Sequence, residues 1–140
     1  YLYIVDAGRG LVAAMNTASL EVRTSELDLP NAGSIGRTSA WISPDGRTLF
    51  VSVAGDDTMR ATGEDDGSVV TALDASAFEV IDSWRLGGAV SSIGGSFDGS
   101  NLYAAVGDRL AVLDAASGSE LAAVPLPSDE PIVRVLPLAA

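Results

Sequence analysis

The chain has 140 residues, 47% of them hydrophobic, which suits one domain with a buried core. Eight basic residues against nineteen acidic ones give a net charge of −11. Because a negative surface repels phosphates and anionic headgroups, we expect neither nucleic acid binding nor membrane insertion. The chain contains no histidine, cysteine or lysine. Ser-His-Asp and Cys-His catalysis, thiolate or imidazole metal sites, Schiff bases and the Walker lysine are therefore excluded.

The chain contains a repeated unit. Residues 43–53 read SPDGRTLFVSV, residues 96–106 read SFDGSNLYAAV, and residues 2–8, LYIVDAG, match the second half of the same unit. After each copy an apolar run leads into an Asn or Asp, then small residues, then another apolar run. These polar positions are Asn16, Asp74 and Asp114. Internal repeats are the first feature to establish, because they determine the fold class.

The local signals within each copy predict β-strands. The apolar runs last four to seven residues and are bounded by Gly, Pro, Asp and Ser, which favours strands over helices. Asp45-Gly46 and Asp98-Gly99 lie between apolar runs, a strong hairpin signal, and Pro44 supplies the φ preferred at the second position of a tight turn. Four short antiparallel strands in about 40 to 50 residues are typical of a β-propeller blade.

These repeats resemble the YVTN family of bacterial β-propellers, which are related to WD40-type blades. The family blade reads approximately S-P-D-G-x-x-L-Y-V, a short loop, then V-x-V-I-D. The matching residues are Ser43, Pro44, Asp45, Gly46, Leu49, Phe50 and Val51, and then Ser96, Asp98, Gly99, Leu102 and Tyr103. Phe97 in place of proline, Asn16 in place of aspartate and a long loop at 55–68 depart from the pattern. The resemblance implies an all-β fold of propeller blades, but the matched residues build turns and core rather than a site.

The strand content predicts one propeller segment with about three blades' worth of strands and no helix longer than about two turns. We expect a partial blade in 1–34, a blade in 35–88 with a hairpin insertion at 55–68, a blade in 89–128, and a ring-closing strand at 131–138. Propellers usually need at least four blades. The chain is therefore expected to be the C-terminal part of a longer propeller; the alternative is two copies that complete a six-bladed ring.

Candidate ligand-binding residues follow from the resemblance, because the first strand of each blade lines the axial channel in this fold. Those near the channel or its rim are Arg37, Ser39, Trp41, Ser91 and Arg134. Arginines in a channel can bind an anion or a partner's carboxylate through a bidentate fork. Against this, Arg37 can equally be a loop residue.

The insertion at 55–68 is a weak calcium candidate, since clustered carboxylates can supply oxygen ligands. Its carboxylates are Asp56, Asp57, Glu64, Asp65 and Asp66. Their spacing does not match an EF-hand, so we expect a solvated acidic loop without metal.

A second motif imitates a dinucleotide fingerprint. Residues 8–13 read GRGLVA, a GxGxxA pattern after a strand, with Glu26 and Asp28 nearby. A dinucleotide site requires a helix from Leu11 onward, whereas the matched segments of the other copies are short and Val-rich. We therefore expect a strand and no nucleotide site there.

The remaining conspicuous residues have structural interpretations. Asp74 and Asp114 are expected to cap turns, because aspartate favours local side-chain to backbone hydrogen bonds where a strand ends. Trp84, Phe78, Phe50 and Tyr103 have the spacing of core residues that pack between blades. No residue is assigned a catalytic role.

Two functions of different classes remain open. The first is a non-enzymatic scaffold or recognition module of an exported bacterial protein, periplasmic or extracellular as members of the resembled family often are. It needs no cofactor, and its partner is another protein or the remaining blades of the same propeller. The second is a propeller subunit of an oxidoreductase resembling the heavy chain of bacterial amine dehydrogenases, whose redox cofactor belongs to a separate small subunit. A propeller lactonase is a further alternative.

Overall fold

The computed structural model describes residues 1–6, 9–27, 38–53 and 68–126, and within these ranges every regular element is a β-strand. The prediction of an all-β chain without long helices is confirmed for these residues. No helix long and apolar enough to cross a bilayer occurs among them. The predicted strand at 131–138 and most of the insertion, residues 55–67, lie outside the described ranges.

The strands form three antiparallel sheets, each in sequence order. Sheet A contains β1 (Leu2–Asp6), β2 (Leu11–Met15) and β3 (Val22–Glu26). Sheet B contains β4 (Thr38–Ile42), β5 (Thr48–Val53), β6 (Val69–Asp74) and β7 (Val80–Arg85). Sheet C contains β8 (Val90–Gly95), β9 (Asn101–Val106), β10 (Arg109–Asp114) and β11 (Glu120–Pro125).

From Leu11 onward, the segment that imitates a nucleotide fingerprint is a strand, as expected. Leu11 begins β2 and pairs with Asp6 of β1, and the strand continues to Met15. A helix N-terminus that could meet a pyrophosphate is therefore not formed at Leu11.

The core lies between the sheets, because side chains on successive residues of a strand point to opposite faces. On β5, Val51 belongs to the same buried cluster as Val12 of sheet A, whereas its neighbour Phe50 belongs to the cluster that contains Leu102 of sheet C. Phe78 also joins the core between sheets A and B, and Trp84 joins the core between sheets B and C. We call the face of each sheet that points to the preceding sheet its leading face, and the opposite one its trailing face.

The first strands of sheets B and C lie side by side, since β4 contacts β8. Within the described residues sheet A lacks this first strand, so β1 is its edge. β1 in turn contacts β4. Sheets that stack face to face with their first strands gathered on one side have the arrangement of propeller blades around an axis.

Candidate binding surfaces

One end of the sheets carries turns of nearly uniform design. The β4–β5 and β8–β9 turns open with Ser43 and Ser96, and the turns that follow β2, β6 and β10 open with Asn16, Asp74 and Asp114. Turns at this end are bonded to one another, because the Ala75 amide donates to the Arg47 carbonyl at 2.8 Å. We call this the uniform end.

Asp98 organises the β8–β9 turn. Its Oδ1 accepts hydrogen bonds from Ser96 Oγ at 2.6 Å, from the Ser100 amide at 3.0 Å and from Ser100 Oγ at 2.8 Å. The Ser96 hydroxyl and the two Ser100 groups favour the charged carboxylate and lower the pKa of Asp98 to about 2. Asp45 has the same role in the β4–β5 turn. Hydrogen bonds from the Ser43 side chain and the Arg47 amide lower its pKa.

Asp74 and Asp114 cap turns, which confirms the interpretation made from the sequence. Asp74 Oδ1 accepts from Ser76 Oγ at 2.6 Å and from the amides of Ser76 and Ala77, both at 2.7 Å. Asp114 Oδ1 accepts from the Ser117 hydroxyl and amide, both at 2.8 Å. In each case the serine hydroxyl is the main cause that lowers the pKa of the aspartate. The repeated polar residues of this end therefore serve the fold.

These bonds predict a stability loss in acid that depends on Asp98. Its pKa is about 2 in the folded chain against an ordinary value of 3.8, so its stabilising effect is complete above about pH 4 and is lost as the pH falls toward 2. We expect Asp98→Asn to be less stable than wild type at pH 7 and to lose less additional stability between about pH 4 and 2, measured by urea unfolding. Asp108→Asn, an exposed site in the β9–β10 turn, is the matched control. If the free energies of unfolding of wild type and Asp98→Asn fell in parallel over this pH range, the acid-induced loss of stability would not come from Asp98.

The opposite end of the sheets carries connections of unequal length, and we call it the variable end. Antiparallel strands place the β5–β6 connection at the end opposite to the β4–β5 turn. The connection between β9 and β10 is residues 107–108, that between β1 and β2 is 7–10, and that between β5 and β6 is 54–68. At this end Arg9 Nε lies 3.8 Å from Asp6 Oδ2, and the Arg9 side chain is 81% exposed. Loops that vary in length over a regular scaffold are where proteins most often carry binding residues.

Of the described candidates on the first strands, Ser39 and Trp41 join sheet B to sheet C, whereas Ser91 bonds within sheet C. Ser39 Oγ accepts a hydrogen bond from the Ile93 amide at 3.1 Å. The Trp41 ring stacks on Phe50 with centroids 5.5 Å apart. Ser91 Oγ donates to the Ala105 carbonyl at 3.4 Å.

The other candidates lie outside the described residues. They are Arg37 and Arg134 of the channel set, and Asp56, Asp57, Glu64, Asp65 and Asp66 of the insertion. Within the ranges that the structure describes, no three acidic residues are grouped as ligands for a metal ion.

Two arginines with structural roles were not singled out from the sequence. The Arg23 guanidinium lies 4.4 Å from the centre of the Phe78 ring and donates to the carbonyls of Ala75 and Ser76, which ties sheet A to the β6–β7 turn. Arg109 Nη2 donates to the Leu86 carbonyl at 2.8 Å. No local pattern marks these residues, because the partners of Arg23 lie 52 and 53 positions away in the chain.

Solved structures of propeller-containing proteins share this arrangement. Hydrazine synthase from Kuenenia stuttgartiensis superposes with a TM-score of 0.68 at 17% identity, over 94% of this chain and 34% of that chain. The dihydro-heme d1 dehydrogenase NirN, solved with DHE, gives a TM-score of 0.59 at 20% identity, over 88% and 23%. The β-propeller domain of Cps50 (Swd1) from Myceliophteria thermophila gives 0.54 at 17% identity, over 72% and 27%.

These similarities define the class of the protein: it is an all-β chain built of β-propeller blades. The chain spans between about a quarter and a third of the length of these neighbours. At identities of 20% or less the likeness concerns the fold alone. No protein-family model and no curated protein sequence matches the chain.

Proposed function

We propose that the chain is a scaffold or recognition module, without catalytic chemistry of its own, in an exported bacterial protein. The observation that supports this most directly is how the repeated polar residues are used. Asp45, Asp74, Asp98 and Asp114 each accept two or more hydrogen bonds from their own turns. A catalytic pair of carboxylates would instead face one another across a cleft.

The binding face of this module is the variable end. The connections there differ between the three sheets while the strands and the uniform end keep one design. Such differences do not disturb packing between the blades, so they leave this end free to be specific for a partner. The acidic balance of the chain favours a partner with a positively charged surface. A periplasmic or extracellular location is part of the proposal, on the resemblance to the YVTN family.

The second candidate is a propeller subunit of an oxidoreductase. Two of the neighbours, hydrazine synthase and the dehydrogenase NirN, carry the names of enzymes. In the amine dehydrogenases that the repeats resemble, the cofactor belongs to a separate small subunit. This candidate therefore predicts a second, coloured chain bound to the propeller.

Purification of the protein from its native cells separates the two functions. We expect it in the periplasmic or extracellular fraction, bound to a protein partner and without a visible absorption band. A co-purifying subunit with a visible band would favour the oxidoreductase, and recovery from the cytoplasm would contradict the proposed location.

Two exposed arginines test which end binds the recovered partner. Arg9 at the variable end and Arg47 at the uniform end are 81% and 85% exposed, and each lies 3.8 Å from an aspartate of its own turn. We expect Arg9→Glu to change the dissociation constant of the partner about tenfold or more, because charge reversal at an interface changes the binding free energy by on the order of 1.4 kcal/mol or more. Arg47→Glu is the matched control and should change it less than about twofold. Equal effects of the two variants in a binding titration would show that the variable end is not the binding face.

A further inference from the structure

Two buried polar atoms have no hydrogen-bond partner among the described residues. They are Ser52 Oγ on β5 and Trp84 Nε1 on β7. Ser52 as a whole is fully buried, at 0% exposure. Removing a polar group from water without giving it a partner is costly, so nearly all buried polar groups in proteins are bonded to protein or to ordered water. These two atoms therefore require a partner.

The register of sheet B places both atoms on one face. Ser52 pairs with Val70, and Val70 pairs with Trp84. Residues that pair directly across antiparallel strands share a face. It is the trailing face, because Val70 and Trp84 belong to the core between sheets B and C. Neighbouring strands lie about 4.8 Å apart, so the Cα atoms of Ser52 and Trp84 are about 10 Å apart, and both side chains enter the same part of this junction.

A third polar side chain continues this row of paired residues. Ser39 pairs with Ser52, and its Oγ accepts a hydrogen bond from the Ile93 amide of sheet C at 3.1 Å. The strand that carries Ile93, β8, is bulged between Val90 and Ser92. A bulge bends its strand, so sheet C does not lie flat against sheet B beside Ser39. An enclosed water needs polar partners and room, and this row offers both.

Other copies of the repeat do not carry the same polar groups. The position of Ser52 is occupied by Val5 in sheet A and by Ala105 in sheet C. The position of Trp84 is occupied by Val124 in sheet C, because Val124 pairs with Leu110 and Leu110 with Ala105. A blade therefore forms without a hydroxyl at the position of Ser52, and the polar row is a property of the junction between sheets B and C.

We propose that sheets B and C enclose ordered water, which accepts a hydrogen bond from Trp84 Nε1 and is hydrogen-bonded to the Ser52 hydroxyl. Water suits both groups, since an indole N–H only donates whereas a hydroxyl donates and accepts. The surrounding cluster is apolar, which favours a neutral ligand, because an ion there would lack an opposite charge. The inference goes beyond the proposed function and does not depend on it, since the site lies within the blade junction.

Nuclear magnetic resonance observes this water through the indole proton of Trp84. The chain has two tryptophans, and the indole signal that Trp84→Phe removes belongs to Trp84. We expect this proton to show cross-relaxation with water in the wild-type chain. The NOE and the ROE should have opposite signs, which distinguishes a held water molecule from hydrogen exchange with the solvent.

Two substitutions test whether Ser52 holds the water. Ser52→Ala introduces the residue that sheet C has at this position, and it should abolish the water signal at the Trp84 indole proton. Thr71→Val is the matched control. Thr71 is also buried, and its hydroxyl lies 3.1 Å from Ser83 Oγ, but it pairs with Val51 on the leading face. Thr71→Val should therefore keep the signal.

Other results would overturn the proposal. If the wild-type indole proton of Trp84 showed no cross-relaxation with water, the protein itself would satisfy the N–H, and this measurement decides even if a variant fails to fold. A signal that survives Ser52→Ala would show that Ser52 does not hold the water. A signal lost equally in Thr71→Val would show that it depends on the packing of sheet B and not on the Ser52 hydroxyl.

Discussion

Gly118→Ala is expected to lower the free energy of unfolding by about 2 to 5 kcal/mol, the sum of roughly 1 to 2 for a left-handed backbone and roughly 1 to 3 for overpacking. Gly118 has a φ of +69° in the turn between β10 and β11. A Cβ at this position would overlap the indole of Trp84, which reaches across from sheet B. The indole packs against the core between sheets B and C, so a movement of the ring disturbs that core. Thermal unfolding should show a melting temperature lower by on the order of 10 °C.

Gly87→Ala is the matched control for Gly118→Ala. Gly87 has a φ of +67°, and a Cβ there meets no atom within 4 Å. The free energy of unfolding of Gly87→Ala should fall only by roughly 1 to 2 kcal/mol, the effect of the left-handed backbone alone. In a Trp84→Ala background, Gly118→Ala should cost no more than this, because the overlapping ring is gone. If Gly87→Ala and Gly118→Ala lowered the free energy of unfolding equally in the wild-type background, the overlap with the Trp84 indole would contribute nothing to the loss.

Gly95→Ala is expected to lower the free energy of unfolding by about 1 to 4 kcal/mol, because it combines overpacking with loss of an aromatic stack. A Cβ on Gly95 would overlap the outer atoms of the Trp41 ring. That ring is held against Phe50, with 28° between the ring planes. The substitution therefore forces Trp41 out of the contact that joins the first strands of sheets B and C, and tryptophan fluorescence should report the change.

A double-mutant cycle separates this contact from a general weakening of β8. Gly95→Ala should cost at least about 1 kcal/mol less in a Trp41→Ala background than in wild type, because coupled neighbours show interaction energies of roughly 0.5 to 3 kcal/mol. Gly88→Ala is a useful comparison, since a Cβ there approaches Val106 Cγ1 only to 3.0 Å. If the losses of unfolding free energy of Gly95→Ala and Trp41→Ala simply add, the contact between Gly95 and Trp41 contributes no stability of its own.

Both tryptophans of the chain thus lie on the trailing face of sheet B, each against a glycine of sheet C. Trp41 is on the first strand and Trp84 on the last. The two large side chains are accommodated because the facing residues have no side chain. These two tryptophan–glycine pairs make the facing surfaces of sheets B and C complementary in shape. They explain why Gly95 and Gly118, which lie outside the repeated Asp-Gly turns, are required.

Much of the architecture is determined by the sequence alone. The repeated SPDG and SFDG segments, the strand-length apolar runs and the aspartates at Asp74 and Asp114 predict blades and capped turns, and the strands and hydrogen bonds agree. This succeeds because the interactions are local: Asp98 bonds residues two positions away, and Ser96 Oγ accepts from the Asn101 amide five positions on. Hairpins and side-chain caps follow from short-range stereochemistry that a single sequence displays.

Only the tertiary structure decides how the blades join. Ser39 and Trp41 were candidates for the channel, and the structure places Ser39 against the Ile93 amide and Trp41 over Gly95. The pairing of Arg23 with the β6–β7 turn likewise spans more than fifty positions. The alternation of residues along a strand shows which side chains share a face of the sheet. It does not show which neighbouring sheet that face packs against, or how the two sheets are shifted relative to each other. Contacts between blades are non-local and use different residue types at each junction, so no repeated pattern in the sequence predicts them.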